Sequence, residues 1–169
     1  MAVSSGTRGG IMVRPATAED VPALGRLGAL LVSVHHQFDA DRFIGAMPGT
    51  ESAYGDFLAD ELARADAILL VAEGGGTVIG YAYARIEGTD FMALRGPAGV
   101  LYDLMIDPDR QGKGVGSMLL DAIIAALAER GAPRLVLSAA ERNEAAQRLF
   151  ASAGFRRTMI EMTRELNPR

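Results

Sequence analysis

Ile11–Arg14, apolar through Val13, reads as a short β-like stretch that Pro15 ends. A polar turn follows, and then Leu24, Leu27, Leu30, Leu31 and Val34 recur at three- and four-residue intervals, which places them on one face of a helix. Thr17 with Asp20 three residues on is a capping-box arrangement for the start of that helix. Residues 37–50 lose the periodicity, with Gly45, Pro48 and Gly49 as breakers. Helical spacing resumes at Tyr54, Phe57, Leu58, Glu61 and Leu62, predicting a second helix over Ser52–Arg64. The stretch from Ala67 to Gly88 reads as two strands joined at Gly74-Gly75-Gly76, a hairpin signature.

In the second half, Thr89–Gly99 reads as a loop or a broken strand extension, and Val100–Ile106 as a compact strand ended by Asp107-Pro108. A glycine-rich loop opens a helix over about Ser117–Glu129, closed by Gly131 and Pro133. Arg134–Ala139 reads as a buried strand. Asn143 caps a helix carrying Ala146, Leu149, Phe150 and Ala153, closed by Gly154, and Arg156–Leu166 reads as a last strand or pair of strands. The order β-α-α-β-β-β-α-β-α-β predicts a mixed α/β fold with strand–helix–strand crossovers in its second half. Residues 1–10 read as a disordered start and residues 11–169 as one domain.

Composition narrows the function classes. The chain has 169 residues, 49% of them apolar and 22% charged, with 17 Lys and Arg against 21 Asp and Glu. That is a globular profile with a net charge of −4 and no basic cluster, which argues against a nucleic-acid surface. The absence of cysteine removes disulfides, thiolate zinc sites and a cysteine nucleophile, and is compatible with a reducing cytoplasm. The N-terminus lacks the apolar core of a secretory signal, and the most apolar helix is too short to span a bilayer, so a cytoplasmic protein without a membrane partner is expected.

Gly112, Gly114 and Gly116 alternate with Lys113 and Val115 just ahead of a helix. Glycine tolerates the dihedrals that let consecutive N–H groups converge, and it removes Cβ atoms that would block a ligand. The helix behind the loop adds unpaired N–H groups and a partial positive charge, the ingredients of a phosphate cradle. Neither the Walker spacing nor the dinucleotide-binding spacing is present, and a tight strand-to-helix turn with no ligand would use glycine too.

The segment Leu101–Leu120 followed by Asn143–Phe155 resembles the GCN5-related N-acetyltransferase (GNAT) family. The family's loop motif, Gln/Arg-x-x-Gly-x-Gly/Ala, is matched by Gln111–Gly116, its preceding strand by Leu104–Pro108, and its later helix by Asn143, Ala146, Phe150 and Gly154-Phe155. The resemblance implies an acyl-CoA N-acyltransferase fold, a central mixed twisted sheet flanked by helices. It also implies acetyl-CoA as co-substrate, held between strands Val100–Ile106 and Leu135–Ser138 that splay apart. Residues implied to hold it are Leu104, Met105 and Ile106 along the strand, Gln111, Gly112, Lys113, Gly114, Val115 and Gly116 in the loop, Asn143, and Phe150 packed against the thioester. By its own position Asn143 is equally a helix cap. The implied reaction is direct attack by the primary amine of a small molecule or peptide, with no metal. Dimers are common in the family, and the final strand could exchange or pack across a two-fold axis.

An amine with a pKa near ~10 must lose a proton before it attacks, so a carboxylate within reach is wanted. Asp103, an acid inside an apolar strand, needs either a partner or a task. It lies where many family members keep an acidic pair, and Tyr102, in place of the first acid, is the reserve candidate. Strict alternation would put these two on opposite faces, but the family bulges this strand. The structural alternative pairs Asp103 with Arg134 or Arg142. Phe150 stands where the family's usual general acid is a tyrosine, which also raises the alternative of a non-catalytic acyl-CoA sensing module. For the acceptor, His35, Tyr54 and Asp90 are the candidate contacts, with Glu51 beside them. His35 and His36 are adjacent and cannot face the same way on a helix, and no third metal ligand is spaced with them.

Overall fold

The hairpin signalled by the glycine triplet is formed: Gly75 and Gly76 take φ of +61° and +74°, the two positive values that a two-residue turn between twisted strands requires. The computed structural model describes residues 7–166. The turn joins β3 (Ala67–Gly74) to β4 (Thr77–Glu87). Around it the chain runs β1 (Thr7–Arg8), β2 (Ile11–Pro15), α1 (Val21–Phe38), α2 (Thr50–Leu62), then β5 (Ala98–Ile106), α3 (Val115–Glu129), β6 (Leu135–Leu137) and α4 (Glu144–Ser152). The six strands lie in the sheet in chain order. All neighbours are antiparallel except β5 and β6, which are parallel and joined through α3.

Strand alternation sorts the apolar residues between two cores. Ile68, Leu70, Ala82 and Leu101 pack with Leu119, Ile123 and Leu127 of α3 and with Phe150 of α4. Leu69, Val71, Tyr81, Tyr83 and Met105 pack on the other side with Leu24 and Leu27 of α1 and Leu58 of α2. β3 is continuously apolar from Ala67 to Ala72 because helices cover both of its faces. Each fully buried Leu contributes on the order of 1.5–3 kcal/mol. The predicted capping box is present, with Asp20 accepting from the Thr17 N–H at 2.8 Å, and Arg14 locks the same carboxylate at 2.7 Å.

Several sequence expectations are corrected. Thr7–Arg8 pairs with Ile11–Met12, so this part of the start enters the sheet; residues 1–6 lie outside the described residues. The strand expected over Arg134–Ala139 shortens to three half-buried residues. Arg156–Leu166, expected as a closing strand or pair, pairs with nothing in the sheet. Its local alternation is β-like, but among the described residues it makes no strand pairing. Ala153 is exposed rather than on the packed face of α4, because the helix ends at Ser152.

Candidate active site

β5 and β6 pair only from Gly99 opposite Leu135 to Leu101 opposite Leu137. Beyond that, Asp103–Ile106 keep β4 on one side, and Tyr102–Ile106 have no strand on the other, which opens a wedge between the parallel strands. At the end of β5, Asp107 is fixed by Arg26 at 3.0 Å and accepts from the Asp109 N–H, setting the direction of the loop. Gly112 and Gly114 take φ of +76° and +78°, and a Cβ built on either would meet open space. Their conformation, not crowding, calls for glycine. The N–H groups of 112–114 make no hydrogen bond among the described residues, and those of Val115, Gly116 and Ser117 are the orphans of the first turn of α3. The loop is a row of free donors at the mouth of the wedge.

Several residues named for the co-substrate have their side chains committed elsewhere. Met105 is buried in the α1/α2 core, Leu104 and Ile106 pack toward α3, and Val115 is buried beneath the loop. These four can serve a ligand only through their backbone. Gln111 reaches back toward the Ile106 carbonyl at 3.4 Å, and Lys113 is exposed. Asn143 caps α4, its Oδ1 accepting from the Ala146 N–H at 3.1 Å. Phe150 is buried in the core beside Phe155, with ring centroids 5.8 Å apart.

The β4–β5 register slips between Tyr83 and Ala84, leaving Tyr102 without a partner. This bulge turns consecutive residues to the same side. Tyr102 stacks on Tyr83 at 5.3 Å, and Asp103 meets Tyr81 of the same face. Asp103 is 8% exposed, and its Oδ2 accepts from the Tyr54 hydroxyl at 2.7 Å and the Tyr81 hydroxyl at 2.9 Å. Its Oδ1 takes no hydrogen bond among the described residues. Burial pushes the Asp103 carboxyl above the usual carboxylate range; the two phenols and, least, nearby His35 pull the other way. The alternative pairing with arginine is not formed: Arg142 instead donates to the Phe38 carbonyl at 2.7 Å.

All four tyrosines of the chain donate to carboxylates on this side of the sheet. Beside the two on Asp103, Tyr83 bonds Glu61 at 2.6 Å, and the half-exposed Tyr102 bonds Glu87, which Arg95 also holds at 2.7 Å. Burial and Glu87 together push the Tyr102 phenol up to about 12. Tyr81, Tyr83 and Glu87 were not singled out from the sequence, and Glu61 only as a helical-face position, although the Tyr81/Tyr83 spacing already placed both hydroxyls on one face of β4.

Of the acceptor candidates, Tyr54 reaches Asp103 and His35 lies within electrostatic range of it. His35 is held by the Leu31 carbonyl at 2.9 Å and by the ring edges of Phe38 and Phe43. Asp90 is occupied by its own turn, accepting from the Met92 and Ala93 N–H groups, and Glu51 lies in the first turn of α2. His36 turns away to the Phe43 carbonyl. Among the described residues no cluster of metal-ligating side chains occurs, and no helix is long and apolar enough to cross a membrane.

Residues 32–155 match the model of the acetyltransferase (GNAT) family. The chain belongs to this family. Mycothiol acetyltransferase of Thermobispora bispora is 36% identical over 96 residues, which cover 54% of this chain and 31% of that protein. The mycothiol acetyltransferase of a Nocardioides strain is 33% identical over 118 residues, covering 66% of this chain and 39% of that one. The chain thus matches less than half the length of these curated relatives. Among solved structures, a variant of the BH1408 protein of Bacillus halodurans superposes with a TM-score of 0.79 at 20% identity, over 92% of this chain and 99% of that one. The architecture is therefore the GNAT fold expected from the sequence, a mixed sheet flanked by helices.

Proposed function

We propose that the protein transfers acetyl from acetyl-CoA directly to the primary amine of a small molecule or peptide. The observation that carries this reading is Asp103: a buried carboxylate on the strand bordering the wedge, with one oxygen held by two phenols and the other free.

The site suits acetyl-CoA on features of its own. The free N–H groups of 112–117 supply donors for a pyrophosphate, the open space in front of Gly112 and Gly114 lets it approach, and Lys113 adds a cation at the rim. The unpaired edge of Tyr102–Ile106 offers strand-like backbone bonds to an extended pantetheine arm. Acetyl-CoA supplies a thioester carbonyl that an amine can attack. Asp103 takes the proton the amine sheds, on Oδ1, while Tyr54 and Tyr81 hold Oδ2 still. Its raised proton affinity makes it a stronger base than an ordinary carboxylate. Phe150 provides no proton for the departing thiolate, but a thiol pKa near ~8.5 allows CoA to leave and to be protonated by water.

The acceptor approaches from the α1/α2 side, where His35, Tyr54, Tyr102 and Glu87 face the strand. Relatives are named for mycothiol, so a mycothiol-related amine belongs in the panel beside amino acids, polyamines and peptide N-termini. The test is CoA release from acetyl-CoA across that panel, with wild type and Asp103→Asn in parallel. Release with one amine class, lost in the variant, is expected. Tight acetyl-CoA binding by calorimetry with no release for any amine would make the protein an acyl-CoA sensor, the reading that Phe150 in place of tyrosine invites.

A further inference from the structure

The N–H groups of 112–114 make no hydrogen bond among the described residues, so the shape of the glycine loop is set from its two ends. At the α3 end the anchor is apolar: Val115 is buried in the core, and a Cβ on Gly116 would come 3.2 Å from Leu149 Cδ2. At the β5 end the anchor is Asp107. Its N–H donates to the Ile79 carbonyl at 2.8 Å, its carbonyl accepts from the Arg110 N–H at 2.8 Å, and its Oδ1 accepts from the Asp109 N–H at 3.2 Å. These bonds turn the chain out of β5 toward the glycines. The remaining oxygen, Oδ2, accepts from Arg26 of α1 at 3.0 Å, and the same guanidinium reaches the Val78 carbonyl of β4 at 3.4 Å. Among the described residues, Arg26 is the only side chain from outside the turn that holds Asp107.

We infer that Arg26 is a positioning residue for the co-substrate: by clamping Asp107 from α1, it fixes the exit of β5 so that the N–H groups of 112–114 face a pyrophosphate. This rests on the reading of the loop as a cradle for CoA. Two features tie the clamp to ligand binding more than to the stability of the fold. The first is exposure. The Arg26 and Asp107 side chains are 39% and 24% exposed, and an ion pair so open to water adds little stability. α1 is already secured by Leu24 and Leu27, both fully buried. The second is charge. Asp107 and Asp109 place two carboxylates at the start of a loop that would receive a diphosphate, where like charges oppose binding. Arg26 neutralises the first of them from outside the loop. Lys113 stands in the loop itself, whereas Arg26, committed to Asp107, acts through that carboxylate.

The test is calorimetry of the full-length chain with CoA, dephospho-CoA and pantetheine. Dephospho-CoA keeps the pyrophosphate and pantetheine lacks it, so the contrast locates any effect. Arg26→Met is expected to bind CoA and dephospho-CoA about tenfold more weakly, the loss of one hydrogen bond between charged groups, and to bind pantetheine as wild type does. Arg26→Lys, which keeps the charge and one donor, should recover part of the loss. In an Asp107→Asn background the Arg26→Met change should cost less than in wild type, because the carboxylate it acts through is gone. Thermal melts should stay close to wild type. Equal weakening for all three ligands would make Arg26 a structural residue only. An equal loss in the Asp107→Asn background would mean that Arg26 does not act through Asp107, and undiminished CoA binding by Arg26→Met would remove it from the site. If Arg26→Met fails to fold, Arg26→Lys carries the same comparison. A wild type that binds no CoA would overturn the acetyl-CoA reading itself, an outcome distinct from the others.

Discussion

Tyr54 of α2 and Asp103 of β5 are joined by a 2.7 Å hydrogen bond, and it ties the helix that borders the acceptor side to the strand that borders the co-substrate wedge. Tyr81 reaches the same oxygen from β4 at 2.9 Å. With two phenols on Oδ2 and no cation on either oxygen, the carboxylate is buried but oriented, so its removal should separate chemistry from stability.

Asp103→Asn keeps the shape and still accepts from the tyrosines. It is expected to lower kcat by about 10²–10⁴, the range for a lost general base. The native carboxyl binds its proton more tightly than an unfolded one, so the stability tied to that proton is fully present below the unfolded pKa and is lost as pH rises through the folded value. At neutral pH the charge therefore weakens the fold, and Asp103→Asn should melt no lower than wild type. Asp103→Ala leaves the buried Tyr81 hydroxyl and the half-buried Tyr54 hydroxyl without their acceptor and should cost about 1–3 kcal/mol for the former and less for the latter. Thermal melts beside steady-state rates check both; an asparagine variant as active as wild type would remove Asp103 from the chemistry.

The pH dependence gives a second handle. A base must be ionised to act, so the acid limb of kcat/KM is expected above the ordinary carboxylate range of ~4. Tyr54→Phe removes a bond that lowers the Asp103 carboxyl and leaves the burial that raises it. The limb should then move to higher pH, with the same acceptor and saturating acetyl-CoA. A limb that moves down or stays in place would show that the titrating group is not Asp103.

Much of this arrangement was legible before any coordinates, and the reasons are local. The hairpin at Gly75-Gly76, the caps at Thr17 and Asn143 and the glycine loop are short-range devices whose residues specify their own backbone. Asp103 stood out as an acid in an apolar run. Its partners did not, because Tyr54 lies 49 residues away and only the packing of α2 on the sheet brings it there. Tyr102 and Asp103 share a side only through a bulge that alternation cannot foretell. The tail misled for the converse reason: its alternation states that it can be a strand, while the partner it pairs with is a property of the fold or the assembly.

Gly28 of α1 tests the positioning of Tyr54 from outside the site. A Cβ at this position would fall on the Tyr54 ring, and at neighbouring Gly25 it would come 2.5 Å from the Glu51 carbonyl oxygen on α2. Gly28→Ala meets a side chain and Gly25→Ala meets backbone, so the first should displace Tyr54 and the second should separate the helices. Gly28→Ala is expected to shift the acid limb in the direction of Tyr54→Phe, with a stability cost of about 1–3 kcal/mol for overpacking. Gly25→Ala should lose more stability. A normal pH profile in a folded Gly28→Ala protein would show that Tyr54 tolerates movement without consequence for Asp103.

Lys113 is the only lysine in the chain, and it stands exposed between the two positive-φ glycines of the loop. An amine-reactive label therefore has one side-chain target besides the N-terminal amine, and that target sits in the proposed pyrophosphate cradle. Saturating CoA should protect Lys113 by charge pairing and by cover, and intact-mass analysis with peptide mapping reads the protection directly. CoA that lacks the pyrophosphate, such as pantetheine, should protect poorly even at concentrations that occupy the wedge. Gly114→Ala, forced into a backbone region costing about 1–2 kcal/mol for a residue with a Cβ, should weaken CoA binding and lose the protection in step. Equal labelling with and without bound CoA would place the pyrophosphate elsewhere and return the glycines to the role of a tight turn.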